Sequence, residues 1–220
     1  MTTYRNIHGR AIQSLATDPT ESVAEGQIWY NTASDTFKSI VSSQAWSSSA
    51  SLNTARIQLS GALASPNTAS LAFGGDAPGV TGATEEYNGS GWSNGGRLST
   101  ARRLGAGAGT QTAALYFGGN PPASGATTTE EYGGASWTSG GALPVAKGGL
   151  AGCGLQTAAL AFGGSPPTRD TSEEYDGSSW TAGGSLSVAF EDAAGAGTQT
   201  AGLKFGGRGT PTQTTEKYDG

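Results

Sequence analysis

The chain has only one cysteine and one histidine among its 220 residues, which excludes several common kinds of site. Cys153 alone cannot form an internal disulfide or a zinc site built from cysteines. A nucleophilic cysteine needs a histidine partner, and only His8 is available. The sequence therefore predicts neither a metal nor another cofactor.

Positive charge and long apolar runs are also scarce. Lysine and arginine number 12 against 17 acidic residues, the net charge is −5, and no basic cluster could neutralise a run of phosphates. Nucleic acid is therefore not expected as a partner. No apolar run approaches the roughly 20 residues of a membrane span. The first residues, MTTYRNIHGRAIQ, lack the apolar core of a secretory signal.

Large apolar residues are few, since hydrophobic types make up 35% of the chain while glycine supplies 37 residues. Such a composition can indicate disorder, because a chain with little to bury cannot offset its ordering entropy. The aromatic residues, however, recur at fixed spacings, which is unusual for a disordered chain. An ordered repeat protein is therefore the better interpretation.

The recurring element is a Phe-Gly-Gly tripeptide, which occurs four times in residues 52–220. A tyrosine follows each tripeptide, a tryptophan follows the first three tyrosines, and a leucine follows each of these tryptophans. The residues are Phe73-Gly74-Gly75, Tyr87, Trp92 and Leu98; Phe117-Gly118-Gly119, Tyr132, Trp137 and Leu143; Phe162-Gly163-Gly164, Tyr175, Trp180 and Leu186; and Phe205-Gly206-Gly207 and Tyr218. The tyrosine-to-tryptophan and tryptophan-to-leucine spacings are constant, which favours hydrogen-bonded strands joined by fixed turns.

The stretch between Gly-Gly and tyrosine varies in length and is rich in Pro, Thr and Ser, as in a surface loop. Polar residues that differ between repeats in these loops are the candidates for contact with a partner. They are Asp76, Asn120, Arg169, Asp170 and Arg208. Plain solvent exposure is the alternative interpretation for each of them.

Each repeat divides into four short strands, and in the second repeat these are predicted at residues 104–110, 112–117, 128–132 and around Trp137. Dipeptides such as Asn88-Gly89 separate the last two strands, because they tolerate the positive φ of tight hairpins. A small-residue strand, an apolar strand ending in Gly-Gly, a variable loop, a Glu-x-Tyr-like strand, a tight turn and a tryptophan together resemble the kelch repeat. The resemblance implies an all-β, kelch-like β-propeller of four-stranded blades. The repeats are taken as residues 52–97, 98–142, 143–185 and 186–220, within a domain of residues 47–220.

Trp46 stands upstream of the first repeat, at the same distance from Leu52 as each later tryptophan from its leucine. No tryptophan follows Tyr218 in the fourth repeat. Trp46 is therefore predicted to supply the fourth strand of the last blade and to close a ring of four blades without an open sheet edge. Two alternatives stay open: the repeats belong to a longer array, or the unfinished edge pairs with another subunit.

Residues 26–46, GQIWYNTASDTFKSIVSSQAW, form a different unit. Residues 28–30 and 37–41 are strand-like runs on either side of a turn, so a β-hairpin is predicted. The pattern Gly-x-Ile-Trp-Tyr-Asn, turn, Phe-Lys and a later Trp resembles a module of tailed-bacteriophage virion proteins, mostly tail, fibre and baseplate components. The resemblance implies a place on the exterior of a phage particle. Residues 1–25 are interpreted as an extended arm that attaches to another virion subunit.

Adjacent glutamates precede the repeat tyrosines and could suggest paired catalytic carboxylates. They are Glu85-Glu86, Glu130-Glu131 and Glu173-Glu174, with Glu216-Lys217 in the fourth repeat. Neighbouring residues of a strand point to opposite faces, so such a pair cannot flank one bond. A structural role is predicted instead, in ion pairs with Arg56, Arg102 or Lys147 in the first strands.

Two other features have simple structural interpretations. Cys153 aligns with alanines of the other repeats, which predicts a small buried residue. The Gly-Ala run at residues 105–109 is superficially similar to a phosphate-binding loop, but such loops open a helix and this run leads into a strand. Close packing of strands around an axis is the better account of the run.

The sequence as a whole favours a non-enzymatic virion structural protein of a tailed phage. Residues 1–46 would contact other virion subunits, and the repeats would present a surface for recognition of a host glycan or protein, in a homo-oligomer or larger assembly. A cellular kelch-type interaction scaffold is one alternative, although it leaves residues 26–46 unexplained. A propeller enzyme that cleaves glycans is the other, and Asp76 with Asp170 is its only candidate pair of carboxylates.

Overall fold

A computed structural model describes residues 13–18, 28–39, 46–121, 125–167, 169–208 and 213–220. All regular secondary structure in these ranges is β-strand, and the strands form five sheets of three or four strands each. The chain divides into two compact units, Met1–Ser48 and Ser49–Gly220. The described ranges hold no helix that is long and apolar enough to span a membrane.

The first unit contains a three-stranded sheet built on the predicted hairpin. Its strands are β1 (Gln13–Leu15), β2 (Ile28–Asn31) and β3 (Thr36–Ser39). Strands β2 and β3 are antiparallel, with Tyr30 opposite Phe37, which confirms the hairpin over these residues. Strand β1 pairs with β2 in parallel, so this part of the predicted arm belongs to the sheet. The rest of that arm, apart from residues 16–18, and positions 40–45 lie outside the described residues.

Asp18 holds one face of this sheet together. Its carboxylate accepts hydrogen bonds from Trp29 Nε1 at 3.0 Å and Asn31 Nδ2 at 2.5 Å, and it pairs with Lys38 Nζ at 2.7 Å. The Lys38 ammonium and these donors lower the pKa of Asp18 to about 2. Trp29 and Asn31 are buried as a result, which anchors the hairpin on this side.

The second unit contains one sheet for each repeat, and the strands of each sheet lie in chain order. The first three sheets have four strands and the fourth has three among the described residues. In order along the chain the strands are β4 (Ser60–Gly61), β5 (Ser70–Phe73), β6 (Thr84–Tyr87), β7 (Trp92–Asn94), β8 (Ala106–Thr110), β9 (Ala113–Phe117), β10 (Thr129–Tyr132), β11 (Trp137–Ser139), β12 (Ala151–Leu155), β13 (Ala158–Phe162), β14 (Ser172–Tyr175), β15 (Trp180–Ala182), β16 (Ala194–Gly197), β17 (Gly202–Phe205) and β18 (Thr215–Tyr218).

The fixed spacings of the sequence correspond to one register that recurs in each sheet. The repeat tyrosine faces the tryptophan of its own fourth strand, as in Tyr132 and Trp137. The glycine of the intervening turn has positive φ, for example 85° at Gly134, as the predicted hairpins require. The predicted four-strand division of the repeat is thereby confirmed for the first three repeats.

The first strands of successive repeats, β4, β8, β12 and β16, lie side by side. Their small residues permit this approach, because a Cβ atom added to Gly107 would lie 2.9 Å from the Phe73 ring of the preceding repeat. Close strand packing is therefore the role of the Gly-Ala run. No contact of comparable extent joins β16 to β4 among the described residues.

A series of single hydrogen bonds also links the repeats just before their first strands. Leu104 N donates to Gln58 O at 3.1 Å, Gly149 N to Leu104 O at 2.7 Å, and Asp192 N to Gly149 O at 2.7 Å. All four residues have positive φ, between 55° and 62°. No backbone hydrogen bond within the described part of the chain joins Asp192 to Gln58, so the series is open.

Trp46 does not have the position predicted for it. It belongs to no strand, its side chain is fully exposed, and the fourth sheet ends at β18 within the described ranges. The strand that would complete the fourth sheet is therefore absent from these residues, and closure of the ring stays a prediction.

Candidate binding surface

The first glutamate of each Glu-Glu pair lies in a buried ion pair, as predicted. Arg56 Nη2 lies 2.8 Å from Glu85 Oε1, and Arg102 Nη1 lies 2.5 Å from Glu130 Oε1. Lys147 Nζ pairs with Glu173 in the same way, and burial lowers the pKa of Lys147 while Glu173 opposes that shift. The three cations differ from the prediction in one respect. They precede strands β4, β8 and β12 instead of lying in them, because the chain must first make the left-handed turn that aligns each first strand.

The fourth repeat replaces this cation with Phe190. Lys204, on strand β17, has its Nζ 4.5 Å from the centre of the Phe190 ring. Lys204 also donates to Thr214 O at 3.4 Å. This exchange was not predicted from the sequence, although Phe190 aligns with Lys147 and Lys204 aligns with Ala161.

The second glutamate of each pair accepts a hydrogen bond from the tyrosine of the next repeat. Tyr132 Oη donates to Glu86, and Tyr175 Oη donates to Glu131 Oε1 at 2.5 Å. Tyr218 Oη donates to Glu174. Burial, together with these carboxylates, raises the pKa of Tyr132 and of Tyr175 to about 12. Both glutamates of each pair therefore serve the framework, on opposite faces of the strand.

The repeat tryptophans join each repeat to the preceding one. Trp180 Nε1 donates to Thr129 Oγ1 at 2.9 Å, and the Trp180 ring packs on Phe117 with centroids 4.8 Å apart. Trp137 contacts Thr84 and Phe73 in the same manner. The Trp137 and Trp180 rings lie between sheets and are nearly buried. This packing accounts for the constant spacing of the tryptophans in successive repeats.

A glutamine also joins each later repeat to the preceding one, through two hydrogen bonds. Gln156 Nε2 donates to Ala114 O at 3.0 Å and to Tyr132 O at 2.8 Å, both in the preceding repeat. Gln111 and Gln199 make the corresponding pairs of bonds. The first repeat has Asn67 at this position, and Asn67 is exposed. This pair of hydrogen bonds, the glutamine clamp, was not predicted, although the glutamines align in the sequence.

Two of the predicted loop residues are held in framework contacts. The Asp76 carboxylate pairs with Arg103 of the next repeat and accepts Gly79 N at 3.0 Å, so both its oxygens are engaged. Asn120 is half-buried and exchanges two backbone hydrogen bonds with Arg103. The structure thus brings Asp76 to Arg103, which weighs against Asp76 as one member of a catalytic pair with Asp170.

The other three predicted loop residues are more open to a partner. Arg208 has a side chain that is 75% exposed and lies 3.5 Å from the Asp192 carboxylate. Asp170 is exposed, and its carbonyl rather than its carboxylate accepts a hydrogen bond from Leu186 N. Arg169 is half-buried, with Nη2 donating to Pro166 O at 3.1 Å.

The residue after each Gly-Gly pairs with the residue that follows the cation position of the same repeat, and these pairs define a candidate binding surface. The pairs are Ile57 with Asp76, Arg103 with Asn120, Gly148 with Ser165, and Glu191 with Arg208. Their identities differ in each repeat, while the framework beside them is repeated. Ile57 and Arg208 are its exposed residues, and polar half-buried residues such as Asp76 and Glu191 lie in the same pairs.

Cys153 lies on strand β12 and is 1% exposed. Burial raises the pKa of its thiol to about 11, and Sγ lies 3.4 Å from Thr198 O. It is therefore a small buried residue, as its alignment with alanines predicted. In comparisons with known proteins, no protein-family model matches the chain, and no curated protein matches it significantly.

Proposed function

We propose that this chain is a non-enzymatic structural protein of a tailed phage, located on the exterior of the virion. The observation that carries the proposal is the module at residues 26–46, whose Ile-Trp-Tyr-Asn hairpin pattern is similar to that of tail and fibre proteins. The repeats support a scaffold, because their buried glutamates and tyrosines are engaged in contacts between repeats. The cellular interaction scaffold stays the alternative, and phage structural genes next to its own gene would argue against it.

The hairpin would attach the protein to its neighbour through one face. Ile28, Tyr30 and Phe37 share that face, since Tyr30 is opposite Phe37 and Ile28 lies two residues from Tyr30. Ile28 is 61% exposed and Phe37 is 65% exposed, whereas the opposite face is held by Asp18. Exposed apolar residues gathered on one face favour a protein contact.

The repeats would form a kelch-like propeller that presents the candidate binding surface to a host glycan or to a neighbouring subunit. Four-stranded sheets with adjacent first strands support this arrangement. The fourth sheet would be completed by a strand that begins at Trp46. Asp170 and Arg208 are the predicted loop residues with the most exposed side chains and are the first to test for ligand contact.

The test is the composition of phage particles that carry a tagged form of this protein. The unaltered protein should occur in purified virions at a fixed copy number. Phe37→Asp should reduce its incorporation at least about tenfold, because a charge would be buried at the contact. Ser34→Asp, on the exposed turn of the same hairpin, is the matched control and should be incorporated normally. Absence of the unaltered protein from virions would overturn the proposal.

A further inference from the structure

The fourth repeat presents a face that the other repeats cover with their successor. Phe73, Phe117 and Phe162 are at most 3% exposed, whereas Phe205 at the same position is 41% exposed. A Cβ atom added to Gly118 would lie 2.8 Å from Lys147 O of the next repeat, yet one added to Gly206 would meet nothing within 4 Å. No described residue therefore takes the place of a fifth repeat.

A pocket between the third and fourth repeats lies where a tryptophan is expected. Trp137 and Trp180 fill the corresponding spaces between the earlier repeats, against Phe73 and Phe117. The third such space is lined by Phe162, Ser172, Leu186 and Tyr218 and encloses about 370 Å³ with its open mouth. Ser172 aligns with Thr84 and Thr129, which accept the indole N–H of the two tryptophans that are in place.

Trp46 is the tryptophan left to fill this pocket. The chain has five tryptophans, of which three belong to the first three repeats. Trp29 is 4% exposed and donates to Asp18 within its own unit, whereas Trp46 is fully exposed. The two residues after Trp46 also match the sequence of a fourth strand. Trp46-Ser47-Ser48 is similar to Trp92-Ser93-Asn94 and Trp137-Thr138-Ser139, which form fourth strands.

The residues after Trp46 make the same hydrogen bonds as a segment that connects two repeats. Asn53 N donates to Glu85 of the first repeat at 2.7 Å, as Ser99 N donates to Glu130 of the second at 2.8 Å. Ala50 O accepts Trp92 Nε1 at 3.2 Å, and Ser49 contacts Tyr87 Oη. Residues 46–48 thus precede the first repeat as a fourth strand precedes the next repeat.

Among the described residues, the fourth repeat makes no extensive contact with the first repeat of the same chain. Strands β16 and β4 lack the contact made by other neighbouring first strands, and the hydrogen-bond series from Gln58 to Asp192 is open. The fourth repeat of a second copy would fit in front of the first repeat instead. Two arcs of four repeats make a ring of eight, which is within the usual range of four to eight blades.

The polar groups at the two ends are complementary to each other. Lys217 replaces the glutamate that accepts the next tyrosine in the earlier repeats, so this end offers a donor. Tyr87 Oη donates to Gly89 O at 3.0 Å and contacts Ser49 Oγ, so it does not need the accepting glutamate that the preceding repeat provides for Tyr132. The missing glutamate at one end is thus matched at the other end by a tyrosine that has other partners.

We propose that two copies of the chain close one ring of eight repeats by exchanging the strands at residues 46–48. Trp46 of each copy enters the pocket beside Ser172 and Tyr218 of the other, and its indole N–H donates to Ser172 Oγ. Such head-to-tail contacts close into a ring when the rotation permits, as two-fold symmetry does here. The inference rests on the propeller-like arrangement proposed above, but not on the location in a virion.

Sedimentation of the purified full chain should give twice the mass of one chain. Trp46→Ala should weaken the dimer about 30-fold or more, as expected for a central buried tryptophan. Ser47→Ala, in the same segment, is the control and should leave the dimer intact. A wild-type protein that stays monomeric at high micromolar concentration would overturn the inference and leave the virion assignment, which is tested in particles, unaffected.

A cysteine pair identifies which copy provides the strand. The residue before the tyrosine faces the residue after the tryptophan in every complete repeat, as Glu174 and Thr181 do, so residues 217 and 47 should be close enough for a disulfide. In a Cys153→Ala background, Ser47→Cys with Lys217→Cys keeps Trp46 and should give a covalent dimer after oxidation. A cross-link within one chain, or no cross-link at all, would contradict strand exchange between copies.

Discussion

Phe117 of the second repeat packs against Trp180 of the third, with ring centroids 4.8 Å apart and planes inclined at 58°. Each ring belongs to a different sheet, so this contact joins two repeats rather than stabilising one of them. The chain is poor in large apolar residues, and a few such rings carry much of its apolar burial. The stability of the array therefore depends on contacts between repeats.

Phe117→Ala is expected to destabilise the protein by about 3–5 kcal/mol, the usual cost of removing a buried aromatic ring. Phe117 is fully buried, and its loss leaves Trp180 without its aromatic contact in the preceding repeat. Urea-induced unfolding followed by tryptophan fluorescence measures this change. Leu155→Ala is the control, because Leu155 is 51% exposed and its loss should cost less than about 0.5 kcal/mol. Equal effects of the two substitutions would refute the role given to the Phe117 ring.

Lys147→Phe should destabilise the protein by about 3–5 kcal/mol, because Glu173 would remain as an unpaired buried charge. The fourth repeat indicates a rescue, since it has phenylalanine at this position and lysine at the position of Ala161. The double variant Lys147→Phe with Ala161→Lys should recover about 1 kcal/mol or more. A double-mutant cycle measured by chemical unfolding gives this coupling directly. Strict additivity of the two substitutions would show that the arrangement of the fourth repeat cannot be transferred.

Gln156→Ala should cost about 1–3 kcal/mol, because two carbonyl groups of the preceding repeat lose their shared donor. The matched control is Asn67→Ala, at the same position of the first repeat, where the side chain is exposed. That substitution should change the free energy of unfolding by less than about 0.5 kcal/mol. Thermal melts of both variants test the difference, and a cost at Asn67 as large as at Gln156 would count against the clamp.

The stability should fall at alkaline pH. Burial and the Glu131 carboxylate raise the pKa of Tyr175 to about 12, and burial with Glu86 does the same for Tyr132. Their contribution is fully present below about pH 10, where unfolded tyrosines keep their protons, and it is lost as the pH rises from about 10 to 12. Urea unfolding at a series of pH values measures this loss.

Tyr175→Phe tests the origin of the alkaline effect. The variant lacks one of the groups whose pKa is raised, so its stability should fall less steeply than that of the wild type above about pH 10. Its stability at neutral pH will also be lower, because Glu131 loses a hydrogen bond. The slope with pH, not the absolute stability, is therefore the relevant quantity. An unchanged slope would assign the alkaline loss to other groups.

Much of the fold could be predicted, because the same sequence pattern recurs in each repeat and indicates the same structure each time. The constant spacing of Tyr132 and Trp137 predicted two strands joined by a fixed turn, and the structure places these two residues opposite each other. The apolar strand ending at Phe117 was equally clear, because Gly-Gly follows it in all four repeats. Repetition separated framework from loop without any three-dimensional information.

The contacts between repeats were harder to predict, because they join residues that are distant in sequence. The pairing of Asp76 with Arg103 depends on how one repeat is placed against the next, which no local pattern encodes. For this reason a framework aspartate was predicted as a candidate for partner contact. Strand β1 was missed because three residues, Gln13–Leu15, are too few to show an alternation and pair in parallel with a distant strand.

The clamp of Gln156 also has a consequence for how such a chain can grow. Each interior repeat recognises its predecessor through glutamine and tyrosine and its successor through glutamate and threonine. A duplicated copy of residues 98–142 inserted next to the original would find every partner group it needs on both sides. A copy of residues 186–220 placed after the original would instead lack this contact, because Lys217 stands where the earlier repeats have the accepting glutamate. Duplication of an interior repeat thus preserves the contacts between repeats, whereas duplication of the fourth repeat does not.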